Sequence, residues 1–161
     1  MSEFPLHQLA NIDVQYEDNH VIVAVKPPNM LSQADKTGDT DILTQLKEYI
    51  KIKYNKPGAV YLGLVHRLDR PVGGLVAFAR TSKAASRLSE QLRVHHMERE
   101  YLAVVEGKDL PAEGTLCDWL LQDEKTGMVR TVPAGTPGAK EARLRYQRLG
   151  AQDGTALVHL R

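Results

Sequence analysis

The chain has 161 residues, 42% apolar and 25% charged, with 21 Lys and Arg against 20 Asp and Glu for a formal net charge of +1. This length can bury a core without disulfides or metals, the composition excludes a disordered or fibrous chain, and the even charge balance gives no general attraction to a polyanion. The single Cys117 has no internal disulfide partner and no CxxC or Cys/His spacing, the N-terminus does not resemble a signal peptide, and no apolar run approaches the roughly 18 residues of a membrane span; a cytoplasmic, soluble protein is expected.

The first clear element is "VIVAV" from Val21, a β-branched run read as a short buried strand that Pro27 and Pro28 stop from extending. After the polar "SQADKTGDT", the segment "DILTQLKEYIKIKY" places Ile42, Leu43, Leu46, Tyr49 and Ile50 at helical spacing, with Asp39 or Thr40 as the expected N-cap. A second buried strand is expected at "VYLGLV" from Val60 and a third at "LVAFA" from Leu75, with "HRLDRPVGG" as the loop between them. Thr81 or Ser82 can cap a helix whose inner stripe is Ala84, Ala85, Leu88 and Leu92. The remainder reads as hairpin strands: "REYLAVVEG", "TLCDWLL", "MVRTVP", "EARLRYQRLG" and "TALVHLR", separated by turns such as "QDEKTG" and "AQDG". The predicted class is α+β, a mixed and largely antiparallel sheet flanked by a few helices, without internal repeats.

The loop "HRLDRPVGG" carries the densest chemistry. A carboxylate there commonly holds a turn by accepting backbone N–H groups or pairing with an arginine. Asp69, however, stands between Arg67 and Arg70 with His66 close by, and neighbouring guanidinium groups favour its charged form. Such a carboxylate suits a nucleophile or base, and the glycines after it let a ligand or another backbone come close. Phosphate-loop, dinucleotide, zinc-protease and α/β-hydrolase motifs are absent. A metal pair of His66 and Asp69 with His95 or His96 as third ligand lacks supporting spacing. The surface bearing Arg80, Lys83, Arg87, Arg93 and Arg99 is offset by Glu90, Glu98 and Glu100, and reads as a mixed-charge solvated face.

The segment "HRLDRPVGGLVAFARTSKAASRLSEQ" resembles the signature region of RluA-type RNA pseudouridine synthases, and "YEDNHVIVAVKPPNML", "REYLAVVEG" and "KEARLRYQRLG" resemble further blocks of that family in the same order. The resemblance runs from about Val14 to the end, so residues 1–13 are expected to be a short extension and 14–161 the catalytic domain, without a separate RNA-binding appendage. It implies isomerisation of uridine in rRNA or tRNA on a nucleotide flipped out of its stack, with no metal, nucleotide or redox cofactor and no membrane partner. Residue by residue, it implies that Asp69 is the catalytic carboxylate, acting by attack or by proton abstraction from the ribose, that Arg67 contacts RNA near the vacated base, and that Tyr101 is the second catalytic residue, stacking on the flipped uracil and taking part in proton transfer. His66, Arg70 and Lys26, the last in the family's "KP" turn, are further candidate RNA contacts.

The sequence departs from the family pattern in two places. Val72 and Gly73 stand where a Thr-Ser pair is usual, so the turn is expected to be either looser or ordered by backbone bonds alone. The family's later motif, resembling T-G-R-x-H-Q-I-R, lies beyond "ALVHLR"; Arg161 belongs to the strand before it. The domain is therefore expected to be C-terminally incomplete, with a risk that a strand is left as an open edge. Two other hypotheses are a catalytically incomplete RNA-binding fragment and a metal-assisted hydrolase using His66 and Asp69.

Overall fold

The computed structural model describes residues 12–107 and 109–161, so most of the expected extension over 1–13 lies outside the described residues. Two compact units meet at Met97/Glu98 in the sequence, each with its own sheet. The α+β class is as expected. Every pairing between named strands is antiparallel, in two sheets, and the one parallel contact among the described residues is an isolated bridge between Leu31 and Asp41.

The first unit holds β1 (Asp13–Glu17), β2 (Val21–Lys26), α1 (Ile42–Lys53), β3 (Gly63–Leu64), β4 (Gly74–Ala79) and α2 (Ser82–Arg93), with sheet order β1-β2-β4-β3. Strand alternation gives β2 one buried face of Ile22, Ala24 and Lys26, set opposite Phe78, Val76 and Gly74 of β4. Helix α1 covers this face with Ile42, Leu46 and Ile50, spaced four residues apart. Each fully buried side chain of this kind contributes about 1.5–3 kcal/mol.

Three local expectations change. Strand β1 is an addition; its charged "DVQYE" lacks clean alternation, as suits an edge strand with a register shift between Val14 and Tyr16. The strand expected from Val60 shrinks to Gly63–Leu64, where a Cβ on Gly63 would lie 3.1 Å from that of Ala85 on α2. The α1 N-cap is Asp41, whose carboxylate accepts the Thr44 N–H at 2.9 Å. A tertiary bond decides that start: the Ile42 N–H donates to the Leu31 carbonyl at 3.0 Å, pinning the chain after residues 39 and 40. Thr81 caps α2, accepting from the Ala84 N–H at 3.1 Å, with Ala84 buried and Ala85, Leu88 and Leu92 half-buried.

One polar cluster ties β1 to α1 and to the end of β4. Glu17 takes Lys53 Nζ at 2.7 Å, the Tyr54 hydroxyl at 2.8 Å, Arg80 at 3.0 Å and the Tyr49 hydroxyl at 3.2 Å. The Arg80 guanidinium lies 4.8 Å from the centre of the Tyr54 ring, and Arg93 pairs with Glu90 at 2.6 Å. These two arginines are thus engaged with the protein itself, in keeping with a mixed-charge surface.

The second unit comprises β5 (Tyr101–Glu106), β6 (Glu113–Gln122), β7 (Val129–Val132), β8 (Lys140–Gln152) and β9 (Thr155–Leu160), in the order β5-β9-β8-β6-β7. Asp153 and Gly154 close the β8–β9 hairpin with φ of 51° and 79°, the backbone a two-residue Asp-Gly turn requires. The last strand, β9, is paired on both sides, by β5 and β8, and the outer strands of this sheet are β5 and β7. No helix among the described residues is long and apolar enough to cross a membrane.

Burial pushes the Glu17 carboxyl up, but hydrogen bonds from Lys53, Tyr54 and Tyr49 and the Lys53 charge outweigh it and hold the group below its ordinary value of 4.5. A depressed carboxyl contributes stability above its unfolded-state value and loses it as pH falls through the lower folded-state value. Glu17→Gln should therefore lower the melting temperature at neutral pH and narrow its gap to the parent as pH drops below 4.5. Melting curves of both proteins across that range test this, and a gap independent of pH would refute the assignment.

Candidate active site

The segment from Val65 to Gly73 joins β3 to β4 and is fastened to the rest of its unit mainly by backbone bonds. Leu68 is turned into the core; its N–H donates to Ser32 Oγ at 3.1 Å, and the Ser32 hydroxyl donates to the Leu68 carbonyl at 2.6 Å. Two residues later the Arg70 carbonyl accepts the Asn29 N–H at 2.8 Å and Lys26 Nζ at 3.2 Å. Between these anchors the Val72 N–H donates to the Asp69 carbonyl at 3.0 Å, closing the turn. Neither a loose turn nor ordering by backbone bonds alone is found where the family's hydroxyl pair is missing: the Val72–Asp69 bond closes the turn, and the side chains of Ser32 and Lys26 hold the peptides of Leu68 and Arg70.

The loop exit packs tightly. A Cβ on Gly73 would sit 3.0 Å from the Pro28 ring carbons, and Gly74 has a φ of +142°, in the region that favours glycine. The turn after β2 and the loop before β4 are thus in direct contact.

Held by its backbone, Asp69 leaves its side chain exposed. Among the described residues its carboxylate makes no ion pair and no hydrogen bond. The expectation that Arg67 and Arg70 embrace it therefore needs correction. Side chains of successive residues in a tight turn diverge, and the Arg70 guanidinium instead meets Asp39 at 2.7 Å, with both side chains 48% exposed. Arg67 is exposed and has no ion pair among the described residues.

The cation bound to the backbone of this loop is Lys26. Its side chain is fully buried, and Nζ donates to the carbonyls of Met30 at 2.7 Å and of Pro27 and Arg70 at 3.2 Å. Burial holds the ammonium below its ordinary value while the charge of Asp69 opposes that shift. All three donors are used, so Lys26 does not present the phosphate contact the "KP" turn suggested. Strand alternation held the signal for this: residue 26 follows Ile22 and Ala24 on the inward face.

His66 is half-buried, with Nε2 accepting the Ala77 N–H at 3.0 Å, which fastens the ring to β4. That bond engages the lone pair a metal would use at this nitrogen, and among the described residues no three His, Cys, Asp or Glu side chains converge. Lys26, His66, Arg67, Asp69 and Arg70 thus gather in the first unit, together with two residues that sequence reasoning did not single out for the site, Ser32 and Asp39. No spacing or motif marks that pair, because their partners lie about thirty residues away in the chain.

Tyr101 opens β5 in the second unit. It is 36% exposed, against the expectation for an ordinary core tyrosine, and pairs across the ladder with Leu160, which in turn faces Tyr146 on β8. The Tyr146 ring lies over Gly114, where a Cβ would stand 2.7 Å from the ring atoms. A row of Tyr101, Leu160 and Tyr146 results, with Tyr101 at its exposed end.

Residues 20–161 match the family described as RNA pseudouridylate synthase. The chain belongs to that family. Among curated members it is 28% identical over 156 residues to the uncharacterized RNA pseudouridine synthase YhcT of Bacillus subtilis, covering 95% of this chain and 50% of that one. It is 35% identical over 99 residues to tRNA pseudouridine synthase C of Haemophilus ducreyi, covering 60% of this chain and 37% of the relative. With ribosomal large subunit pseudouridine synthase C of Escherichia coli it shares 34% over 95 residues, covering 59% and 28%. The matched stretches thus cover half the length, or less, of these family members. The structure of human RNA pseudouridylate synthase domain containing 4 superposes with a TM-score of 0.76 at 21% identity, covering 96% of this chain and 59% of that one, so the family fold is shared.

Lys26→Met keeps the volume and removes all three donors, leaving the Met30 carbonyl without the ammonium and those of Pro27 and Arg70 with one bond fewer. It should lower stability by about 1–3 kcal/mol. Urea unfolding measures this directly, and a variant as stable as the parent would show that the ammonium does not brace the loop.

Proposed function

We propose that this chain isomerises uridine to pseudouridine in structured RNA, rRNA or tRNA, with Asp69 as the catalytic carboxylate. The observation that carries the proposal is the pairing of an anchored Asp69 backbone with an open carboxylate, in the H-R-L-D loop of a chain that belongs to the RNA pseudouridylate synthase family. In the reaction the bond from the ribose C1′ to uracil N1 breaks and a bond from C1′ to C5 forms. The C5 proton leaves and N1 gains one, so the product has the mass of the substrate. Asp69 acts at the sugar-base junction, either by attack or by taking a ribose proton. Both routes need an unblocked carboxylate, and one saturated with donors would be a poor nucleophile or base.

The other groups divide by exposure. Arg67 is open to contact RNA beside the vacated base, and Arg70 can exchange Asp39 for a phosphate at small cost because exposed ion pairs are weak. His66, whose Nε2 accepts the Ala77 N–H, is a further candidate RNA contact in the same loop. Lys26 acts from behind, bracing the loop. Tyr101 supplies an aromatic face for the flipped base, which stacking stabilises by about 1–3 kcal/mol. The substrate classes fit the names of relatives described as tRNA and ribosomal large subunit pseudouridine synthases.

Incubation of unmodified rRNA and tRNA with the chain, followed by nucleoside chromatography, tests the proposal. Pseudouridine should form with the parent and be undetectable with Asp69→Asn. Tyr101→Ala should lower turnover by about ten- to a hundredfold, the equivalent of the lost stacking. RNA binding that weakens with salt, without product from the parent, would overturn the catalytic reading in favour of an RNA-binding fragment.

A further inference from the structure

We propose that Ser32 is a positioning residue for Asp69, acting through the peptide groups of Leu68. The inference rests on the reading of Asp69 as the catalytic carboxylate. Ser32 is 5% exposed, and its one hydroxyl serves both sides of the same residue, accepting the Leu68 N–H at 3.1 Å and donating to the Leu68 carbonyl at 2.6 Å. That carbonyl belongs to the peptide whose nitrogen is Asp69's own. The bond therefore sets the plane from which the Asp69 side chain departs.

Leu68 lies between β3 and β4, outside either strand, so no ladder partner takes up these groups. The site is buried, and buried backbone groups require a partner. Ser32 fills the place of a missing strand. Its own position is fixed through the preceding residue: the Ile42 N–H at the start of α1 donates to the Leu31 carbonyl at 3.0 Å, and Leu31 bridges to Asp41. A chain of contacts then runs from α1 through Ser32 to the peptide entering Asp69. On the far side, Lys26 and Asn29 hold the Arg70 carbonyl. Asp69 and Arg70 lie between these two fastened peptides, and Ser32 is the side chain that secures the one entering Asp69.

Two variants of the full chain test this, Ser32→Ala and the near-isosteric Ser32→Cys, whose thiol is a weak donor. Amide hydrogen exchange at Leu68 should quicken by about tenfold or more in both, while Ile22 and Phe78 in the core keep their parent protection. On RNA, kcat should fall by about ten- to a hundredfold with KM within about twofold of the parent, because displacement of the reacting group affects chemistry rather than docking. Unchanged exchange at Leu68 or unchanged kcat in an active enzyme would overturn the role of Ser32 alone. Equal loss of protection at Ile22 and Phe78, or a Ser32→Cys variant with parent kcat, would overturn it too, leaving general destabilisation or simple volume as the explanation. A parent that makes no pseudouridine would overturn the reading of Asp69, and the positioning role with it.

Discussion

The first unit is organised around an ammonium group buried at the end of β2. A lone charge in an apolar interior costs far more than a domain can spare, so Lys26 is tolerable there only because three carbonyl oxygens surround Nζ. Satisfying that requirement draws two separate stretches together, the turn at Pro27–Met30 and the carbonyl of Arg70 in the loop 44 residues further on. Asn29, with a φ of 67°, directs its own N–H to the same Arg70 carbonyl. The demand of one buried charge therefore places the loop that carries Asp69.

Two carboxylates of this unit show what such placement achieves. Glu17 is ringed by two cations and two hydroxyls, and serves as a joint between strand and helix. Asp69 receives its restraints at the backbone and none at its side chain among the described residues. Saturation with donors spends a carboxylate on structure, whereas a fixed backbone with open oxygens keeps it available for chemistry. On the proposed reading of Asp69 as the catalytic carboxylate, preorganisation of this sort lowers the cost of reaching a reactive geometry.

The second unit follows a different logic. Its long β8 pairs with β6 over one half and β9 over the other, which makes β9 an interior strand with Ala156 and Val158 buried. Tyr101, at the start of an edge strand, keeps an aromatic face accessible in a row with Leu160 and Tyr146.

Much of this was legible in the sequence because it depends on short-range periodicity. Alternation marks β2 and β4, four-residue spacing marks α1, Thr81 caps α2, and the H-R-L-D loop falls between the expected strands. Family resemblance, which rests on several motifs in order, pointed to Asp69 and Tyr101. Contacts between distant segments stayed hidden. The pairing of Arg70 with Asp39, the Ser32 hydroxyl on Leu68 and the Asp41 cap each depend on where two stretches meet, and nothing in the local pattern of either stretch encodes the other. Lys26 lies between these cases: its inward direction follows from alternation alone, but only the folded chain supplies the carbonyls that make a charge acceptable there.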